Sequence, residues 1–411
     1  MNTHYDHLLA SEVRRRTYQL DMVRGFFRGL ISSGTQTFAL FIAIRHFEAG
    51  YYSKSLIGSA PFIGMLFSLL LVHYASFTHL KKSTWGALPS LACGILLLIS
   101  AGASELTTYT ICVVASFIFL HAMVPFLTSI YHDNYPAGQR GIYYSKPVVI
   151  TVMVSVVFGF IGSWLMDQNM ENYKWILVIL GLAGLCKAAA IAAMPSKVIE
   201  DGEHKNPFGN LKLIFEDRSF GYILLTWFIM GFANLWVLPL RVDYLTSSHY
   251  GIEGSALFVA LLITVIPDLM RAISAPIIAR QFDRINFVVL RMVINVVFAF
   301  GIALFFLTKI PWVIAMGSAL IGIAFGGGTV AWGLWVTKYA PPEKVAAYMS
   351  VHVCLTGVRG TLGPLIGFWA VGFLGPVNIG LVSFAMMILA TVMLIPEIKH
   401  AEKAASSSKS D

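Results

Sequence analysis

The chain has 411 residues, of which 57% are hydrophobic and only 12% are charged, and its mean hydropathy is +0.73. A water-soluble domain of this length has no core large enough to hide so much apolar surface, so the composition excludes a soluble protein and indicates an integral membrane protein. The 29 Lys and Arg residues outnumber the 21 Asp and Glu residues. They concentrate between apolar runs, where they indicate membrane topology rather than nucleic-acid binding.

Twelve apolar runs of roughly 20 residues follow one another along the chain, each ended by a polar break. An α-helix rises about 1.5 Å per residue and the hydrocarbon layer is about 30 Å thick, so each run is long enough to cross a bilayer. We therefore predict an all-α integral membrane protein with twelve transmembrane helices. In chain order the predicted spans are Phe26–Ile44, Leu56–Tyr74, Trp85–Ala103, Thr107–Ile130, Tyr144–Met166, Trp175–Met194, Tyr222–Tyr244, Ser255–Ala279, Phe287–Leu307, Trp312–Val336, Ala346–Phe373 and Val377–Ile395.

The longest polar break separates the runs into six and six, so we predict two pseudo-symmetric six-helix bundles joined by a linker. Within the linker, Asn210–Asp217 is predicted to form a short amphipathic helix on the inner membrane surface. The end of the chain is rich in Ser, Ala and Lys and is too polar to pack. The predicted segments are a cytoplasmic N-terminal segment (1–25), the first bundle (26–194), a cytoplasmic linker (195–219), the second bundle (220–396) and a disordered cytoplasmic tail (397–411).

The basic residues are distributed unequally over the two sides that these spans define. Nineteen of those in the breaks and tails, among them Arg24 and Arg291, fall on the side of the N-terminus, and five fall on the other side. Because basic loops are retained in the cytoplasm, both termini are predicted to be cytoplasmic. No secretory signal pattern precedes the first span, which is therefore expected to stay in the membrane. The five residues on the outer side are Arg45, Lys54, Lys174, Arg241 and Lys309.

A short pattern recurs 205 positions later in the chain and indicates that the two halves are duplicated. It involves spans 5 and 11 and the segments just before them. Internal repeats of this kind are typical of transporters that rock around a central site. The first set is Pro136, Tyr143, Ser145, Ile161, Gly162 and Trp164, and the second is Pro341, Tyr348, Ser350, Ile366, Gly367 and Trp369.

The sequence contains no pattern that suggests catalysis, a metal or a cofactor. A membrane enzyme needs clustered His, Asp or Cys ligands, or a nucleophile beside its base, and no such cluster is found in the sequence. We therefore expect neither an enzyme nor a bound metal or cofactor. Four cysteines lie in four different spans without metal-binding spacing, and all are expected to be buried and reduced. They are Cys93, Cys112, Cys186 and Cys354.

The loop after span 8 reads Ala279-Arg280-Gln281-Phe282-Asp283-Arg284-Ile285-Asn286. It resembles the loop signature of the major facilitator superfamily, in which a small residue is followed four positions later by Asp-Arg. Ala279 and Asn286 stand where that family usually has Gly, and the first-half loop lacks the acid. The twelve-span layout with cytoplasmic termini is also the plan of this family, of the bacterial type, so the resemblance covers nearly the whole chain. The subfamily is not identified.

The resemblance implies roles for two sets of residues. The loop Asp of the family is held near the start of span 11 as a latch, so Asp283 and Arg284 are gating candidates; the alternative is that they are solvated loop charges. Spans 1, 4, 7 and 10 line the family's central cavity, and amide and indole groups suit polar organic solutes. For each of these residues a packing or interfacial role is the alternative. The substrate-binding candidates are Gln36, His121, Asn234, Trp236, Trp332 and Trp335.

Asp268 and Arg271 lie three positions apart, on one face of span 8 and well inside its apolar run. A charge near the middle of a bilayer costs at least about 2.5–3.5 kcal/mol, so it needs a partner or a task. Asp268 is the only carboxylate that the pattern places deep in a span, and the two residues are therefore the candidates for proton coupling. The alternative is a locked ion pair that only helps the helix to pack.

Arg359 in span 11 is a further substrate-binding candidate, because a guanidinium group binds planar anions. Together with Arg271, Lys146 and Lys187 it makes deep basic groups more numerous than deep acids. This excess favours an anionic or strongly hydrogen-bonding substrate. The alternatives are that Arg359 pairs with Asp268 and that Lys146 extends to the cytoplasmic surface.

These patterns together predict a secondary active transporter that moves a small organic solute by alternating access, coupled to protons. It is expected to be a monomer in the bacterial inner membrane, with the lipid bilayer, the solute and protons as its partners. One alternative is a scaffold or assembly factor of the same fold that does not transport; another is efflux of drug-like or amphipathic compounds rather than uptake of a sugar or organic anion. Nothing resembles a channel selectivity filter or an ATP-binding fingerprint.

Overall fold

The described part of the protein is all-helical, which confirms the predicted fold class. The computed structural model describes residues 2–136, 139–199, 209–282, 285–338, 340 and 344–398. Within these residues, the β-type pairing is limited to one isolated bridge between Lys81 and Val198. The chain divides into two compact units, Met1–Pro207 and Phe208–Asp411.

In the first unit, α1 and α2 are joined by a π-helical segment, Gly34–Phe38. α5 and α6 are separated at Met123, just before Pro125, which has no backbone donor and suits the first turn of a new helix. α1 packs against α7, α3 against α5 and α4 against α8. The helices are α1 (Asn2–Ser33), α2 (Ala39–Arg45), α3 (Tyr51–Ala75), α4 (Lys82–Ala101), α5 (Leu106–Ala122), α6 (Val124–Asn134), α7 (Arg140–Gln168) and α8 (Tyr173–Ala192).

In the second unit, α12 and α13 are joined by a second π-helical segment, Leu261–Val265. The side chain of Asp217 caps α10 by accepting the backbone N–H of Phe220 over 3.0 Å. α10 packs against α16, and α15 packs against both α13 and α14. The helices are α9 (Leu213–Glu216), α10 (Arg218–Leu235), α11 (Leu240–Thr246), α12 (Ala256–Ala260), α13 (Ile266–Phe282), α14 (Phe287–Phe306), α15 (Pro311–Leu334) and α16 (Val345–Met393).

Ten helical stretches in the described residues are long and apolar enough to cross a membrane. The last of them, Ala347–Met393, has 47 residues and includes both predicted spans 11 and 12. Its backbone leaves the helical conformation at Gly375, where φ is 75°, and Pro376 follows. A left-handed φ suits Gly because it lacks a Cβ atom. The helix that contains the predicted first span is not among the ten, and it begins at Asn2, inside the predicted polar N-terminal segment.

The duplicated pattern has a structural counterpart in the two units. Gly162 of α7 faces the ring of Phe38, and Gly367 of α16 faces the backbone of Trp236. A Cβ atom at Gly162 would overlap the tip of the Phe38 ring, and one at Gly367 would overlap the backbone carbonyl of Trp236. Each glycine thus permits a close contact, α7 with the π-helical segment Gly34–Phe38 and α16 with the end of α10. The repeat in the sequence falls on a packing face in each unit.

Several residues lie elsewhere than the sequence suggests. Arg24, Arg241 and Arg291 count as loop or tail residues in the predicted topology, but all three are buried in helices. Arg24 lies in a helix because α1 begins at Asn2, well before the first apolar run, whereas Arg241 and Arg291 lie inside predicted spans, near their ends. Cys186 is exposed, so its predicted burial is wrong, whereas the other three cysteines are buried. Cys186 lies on the outward face of α8, next to the buried Lys187.

Two further predictions concern the segments between and after the bundles. Residues Gly209–Lys212 form a 3-10 turn that leads into α9, where the sequence predicts one helix over Asn210–Asp217. Residues 200–208 of the linker and 399–411 of the predicted disordered tail lie outside the described residues.

Candidate functional site

An aromatic cluster surrounds Trp227 of α10 in the second unit. The rings of Trp227 and Trp335 are stacked, with centroids 5.3 Å apart. His352 of α16 meets these two rings edge-on, at 5.0 and 5.2 Å. The half-buried Trp332 lies 5.3 Å from His352. The structure thus brings two predicted substrate-binding residues, Trp332 and Trp335, to a histidine that sequence analysis did not select.

Arg359 lies in the same cluster. Its Nη1 donates to the carbonyl oxygen of Trp227, and its Nη2 donates to Oγ1 of Thr356 over 3.0 Å. His352, Thr356 and Arg359 follow one another at spacings of four and three residues, so they share one face of α16. Gly231 of α10 faces the guanidinium group, and a side chain there would overlap it. The alternative pairing of Arg359 with Asp268 is not formed.

Arg291 of α14 also reaches Trp227, although sequence analysis counted it among the loop charges. The Cζ atom of Arg291 lies 4.0 Å from the centroid of the Trp227 ring, and its Nη2 donates to Sδ of Met230 over 3.0 Å. Only 5% of Arg291 is exposed. Arg291 lies at the start of an apolar run, and this position does not indicate whether its side chain faces the interior. The direction of the side chain depends on how α14 packs against the other helices of the unit.

Asp268 and Arg271 form the ion pair that their spacing predicts. Nη2 of Arg271 lies 2.9 Å from Oδ1 of Asp268. The carboxylate is 1% exposed, whereas about a third of the arginine side chain is exposed. The π-helical segment Leu261–Val265 ends three residues before Asp268, and such segments often occur at functional sites.

In the first unit, Lys187 of α8 is completely buried. Its Nζ atom donates to Sδ of Met123 over 3.2 Å, and the hydroxyl of Ser90 donates to the same sulfur over 3.0 Å. Among the described residues Lys187 forms no ion pair with a carboxylate. Its burial agrees with its position deep in predicted span 6. Lys146, in contrast, is exposed.

The two predicted substrate-binding residues of the first unit each bond within their own helix. Gln36 is half-buried in the π-helical segment Gly34–Phe38, and its Nε2 donates to Oγ of Ser32 over 2.9 Å. Nδ1 of the half-buried His121 lies 2.9 Å from the carbonyl oxygen of Phe117, at the end of α5.

A buried carboxylate of the first unit was missed by sequence analysis. Asp21 has no exposed surface; its Oδ1 lies 2.5 Å from Nε of Arg24 and accepts the hydroxyl of Tyr131 over 2.6 Å. The signal was its spacing of three residues from Arg24, which matches that of Asp268 and Arg271. It was overlooked because residues 1–25 looked like a solvated segment.

Trp236 and Asn234, the other two predicted substrate-binding residues, are buried between helices of the second unit. Nε1 of Trp236 donates to Oγ of Ser383 over 2.5 Å, and 5% of Trp236 is exposed. Nδ2 of Asn234 donates to the carbonyl oxygen of Met230 over 3.1 Å. The sulfur atom of Met230 accepts hydrogen bonds from both Asn234 and Arg291. The gating candidates Asp283 and Arg284 lie outside the described residues.

Ten membrane-length apolar helices among the described residues indicate a multi-pass membrane protein. The model of the Major Facilitator Superfamily matches residues 25–360, and the chain belongs to this family. A comparison with curated proteins finds no match.

Solved structures of transporters share the fold over almost their whole length. A variant of the nucleoside transporter NupG aligns with a TM-score of 0.73 at 13% identity, over 93% of this chain and 99% of that one. A POT family transporter in complex with 5-aminolevulinic acid gives a TM-score of 0.73 at 11% identity, over 94% and 96%. The human organic anion transporter MFSD10 gives 0.65 at 13% identity, over 93% and 99%.

Proposed function

We propose that the protein is a secondary active transporter that moves a small organic solute by alternating access and couples this movement to protons. The observation that carries the proposal is the Asp268–Arg271 pair, because a carboxylate with 1% exposure lies within a membrane-length helix. Keeping a charge there costs at least about 2.5–3.5 kcal/mol, and such residues commonly mark ion pathways.

The geometry of the pair suits a coupling role. Arg271 is partly exposed while Asp268 is buried, so a small movement of the arginine side chain would separate the two charges. A carboxylate that loses its partner in an apolar surrounding binds a proton more readily. The π-helical segment just before the pair provides a place where the helix can change its hydrogen bonding.

The orientation and setting belong to the same proposal. Both termini face the cytoplasm, the membrane is a bacterial inner membrane, and a single chain suffices. The excess of basic residues on one side supports this orientation, apart from Arg24, Arg241 and Arg291, which are buried. Fusions of a reporter enzyme to residues 1 and 411 test the orientation. If a reporter that functions only outside the cytoplasm is active at either terminus, the proposed orientation is wrong.

The decisive experiment is a solute screen in proteoliposomes, with and without an imposed pH gradient. The names of similar structures include a nucleoside transporter, an organic anion transporter, a D-xylose-proton symporter and a POT family transporter in complex with a thioalcohol conjugated peptide. The screen therefore includes nucleosides, organic anions, sugars and short peptides. We expect uptake of at least one solute, faster with the gradient. Asp268→Asn is expected to abolish the effect of the gradient, whereas Asp167→Asn, on an exposed carboxylate, leaves it unchanged.

Each outcome of the screen has a definite meaning. Absence of flux for every solute class favours a scaffold or assembly factor and contradicts transport. Flux that is equal with and without the gradient contradicts proton coupling, and so does an Asp268→Asn variant with an undiminished response. Solute movement only from the cytoplasmic side of the protein to its outer side identifies efflux.

A further inference from the structure

Two cations of the second unit are buried against one tryptophan. Arg291 stacks on the face of Trp227 at 4.0 Å, and Arg359 donates to the backbone carbonyl of the same residue. Arg291 is 5% exposed and Arg359 is 4% exposed. They come from α14 and α16 and meet at α10, so the unit as a whole, and not one helix, assembles the pair.

The groups around the two cations are poor substitutes for a counter-ion. The side-chain hydrogen-bond acceptors are a thioether sulfur, Met230, for Arg291 and a hydroxyl, Thr356, for Arg359. A thioether is a weak acceptor, and neither group carries a negative charge. The Nε atoms of both arginines have no hydrogen-bond partner. Among the described residues neither arginine forms an ion pair with a carboxylate.

The energetic cost of this arrangement is large. An arginine at the centre of a membrane helix costs at least about 2.5–3.5 kcal/mol, and Arg291 and Arg359 are like charges held against the same tryptophan, so they repel each other. A cation–π contact returns only about 0.5–2 kcal/mol. Packing alone does not require these groups, because apolar side chains of similar volume fill such space without the desolvation cost. An anion that joins the two guanidinium groups removes most of the penalty.

The neighbouring side chains indicate what the rest of that anion looks like. His352 is 1% exposed, lies edge-on to Trp227 and Trp335, and has an Nε2 atom without a hydrogen-bond partner. Trp332 is half-buried at the edge of the cluster. Flat aromatic surfaces beside guanidinium groups suit a planar organic group that carries a carboxylate or phosphate.

Resting on the proposed transport function, we propose that Arg291 and Arg359 bind the carboxylate or phosphate group of an organic anion, which is the transported solute. The tryptophans around His352 hold its planar part, and Nε2 of His352 supplies a further polar contact. Because both arginines are covered in this conformation, binding selects a conformation in which they are accessible, as alternating access requires. Gly231 leaves the space in which the Arg359 guanidinium group rests.

Binding to the purified full-length protein tests the site without requiring transport. The probes are benzoate, succinate and inorganic phosphate, with uncharged benzamide and sodium chloride at equal ionic strength as controls, in nanodiscs of zwitterionic lipid. The readouts are the melting midpoint and the tryptophan fluorescence. We expect at least one of the three anions to raise the midpoint by about 3 °C or more in a saturable manner. Benzamide and chloride are expected to have no effect.

Variants connect the signal to the two arginines. Arg291→Gln and Arg359→Gln are each expected to weaken anion binding by at least tenfold, whereas Arg280→Gln, on an exposed arginine, leaves it unchanged. If either glutamine variant does not fold, Arg359→Lys keeps the charge but loses the planar fork, and binding is then expected to weaken by a smaller factor. Binding that is unchanged in every variant that folds overturns the proposal.

The remaining outcomes separate this proposal from the one on which it rests. If none of the three anions binds, or if stabilisation requires anionic lipid in the nanodisc, the solute-anion site is wrong. Uptake of a neutral solute in that case leaves the transport function standing. Conversely, an anion that binds through both arginines but is never taken up by proteoliposomes supports the site and contradicts transport.

Discussion

The ammonium group of Lys187 donates to the sulfur atom of Met123 over 3.2 Å. The second unit contains the same type of contact, since Arg291 donates to the sulfur atom of Met230 over 3.0 Å. A thioether is a polarizable but weak acceptor, so it only partly replaces water around a cation. Among the described residues, Lys187 of the first unit and Arg291 of the second are thus buried basic groups beside a weak acceptor. Replacing them tests whether such a group serves function or stability.

Lys187→Met is expected to raise the melting midpoint of the purified protein. Methionine has a similar length and carries no charge, so the desolvation cost of about 2.5–3.5 kcal/mol disappears. We also expect slower solute uptake, because a cation kept at this cost is retained for transport. Lys146→Met is the control, since Lys146 is exposed and its replacement leaves the midpoint unchanged. A lower midpoint in Lys187→Met would show that the ammonium group is structural.

Gly231→Ala is expected to destabilise the second unit by about 1–3 kcal/mol, the range observed for overpacking. The added methyl group would overlap the guanidinium group of Arg359, which must then leave its bonds to Trp227 and Thr356. The matched control is Gly372→Ala, because nothing lies within 4 Å of a Cβ atom at that helical position. Gly372→Ala should have no cost or a small gain. Equal melting midpoints for the two variants would contradict the assigned contact.

Asp21→Asn is expected to cost about 3–5 kcal/mol, because it leaves the buried Arg24 without a charged partner. Asp21 and Arg24 are 0% and 4% exposed, and their charged atoms are 2.5 Å apart. Replacing both residues, as Asp21→Asn with Arg24→Met, should recover most of the loss. Detergent-solubilised protein provides the melting midpoints.

The control for this pair is an ion pair of the same spacing at the surface. Lys174 and Glu171 are 2.6 Å apart, but about half of each side chain is exposed. Glu171→Gln should therefore leave the melting midpoint nearly unchanged. If Asp21→Asn lowers the melting midpoint no more than Glu171→Gln does, water reaches the Asp21–Arg24 pair and the burial of Asp21 is not maintained in solution.

Apolar run length was sufficient to predict the all-helical membrane fold, and residue spacing placed Asp268 and Arg271 on one helical face, where they form the ion pair that was the alternative to a coupling role. Both depend on local geometry, since helix rise fixes the span length and a spacing of three places two side chains on one face. The repeat indicated that spans 5 and 11 are duplicated, but it did not predict that Gly162 and Gly367 lie on packing faces. The family resemblance rested on this layout and was confirmed by the match over residues 25–360.

The candidate site was only partly predictable because it is assembled from distant segments. Arg359 was selected for its depth in a span, but Arg291 lies near a helix end and its inward direction depends on the position of Trp227. His352 had no spacing partner in the sequence, and it becomes notable only through the three aromatic rings around it. The π-helical segments were equally invisible, because no residue pattern distinguishes them from ordinary helix.

Asp217 joins the start of α10 to α16. It contributes both a helix cap and a hydrogen bond to another helix, and variants can measure the two contributions separately. Its Oδ1 accepts the N–H of Phe220 over 3.0 Å and its Oδ2 accepts the hydroxyl of Tyr348 over 2.8 Å. Asp217→Ala should lose the cap, worth about 0.5–2 kcal/mol, and the tyrosine bond, worth about 0.5–1.5 kcal/mol.

Two single variants isolate the two contributions of Asp217. Ser255→Ala removes only a cap, since its Oγ accepts the N–H of Phe258 over 3.2 Å, and Tyr348→Phe removes only the bond to Asp217. We expect Asp217→Ala to lower the melting midpoint more than either, by roughly their sum, because the two bonds use different oxygen atoms. If Asp217→Ala matches Ser255→Ala and Tyr348→Phe has no effect, the Tyr348 bond does not hold α16 to α10. The attachment of α16 to α10 then rests on their other contacts, which include the bond of Arg359 to the Trp227 carbonyl, the bond of Trp236 to Ser383 and the close approach at Gly367. Gly367→Ala should in that case lower the midpoint more than Tyr348→Phe does.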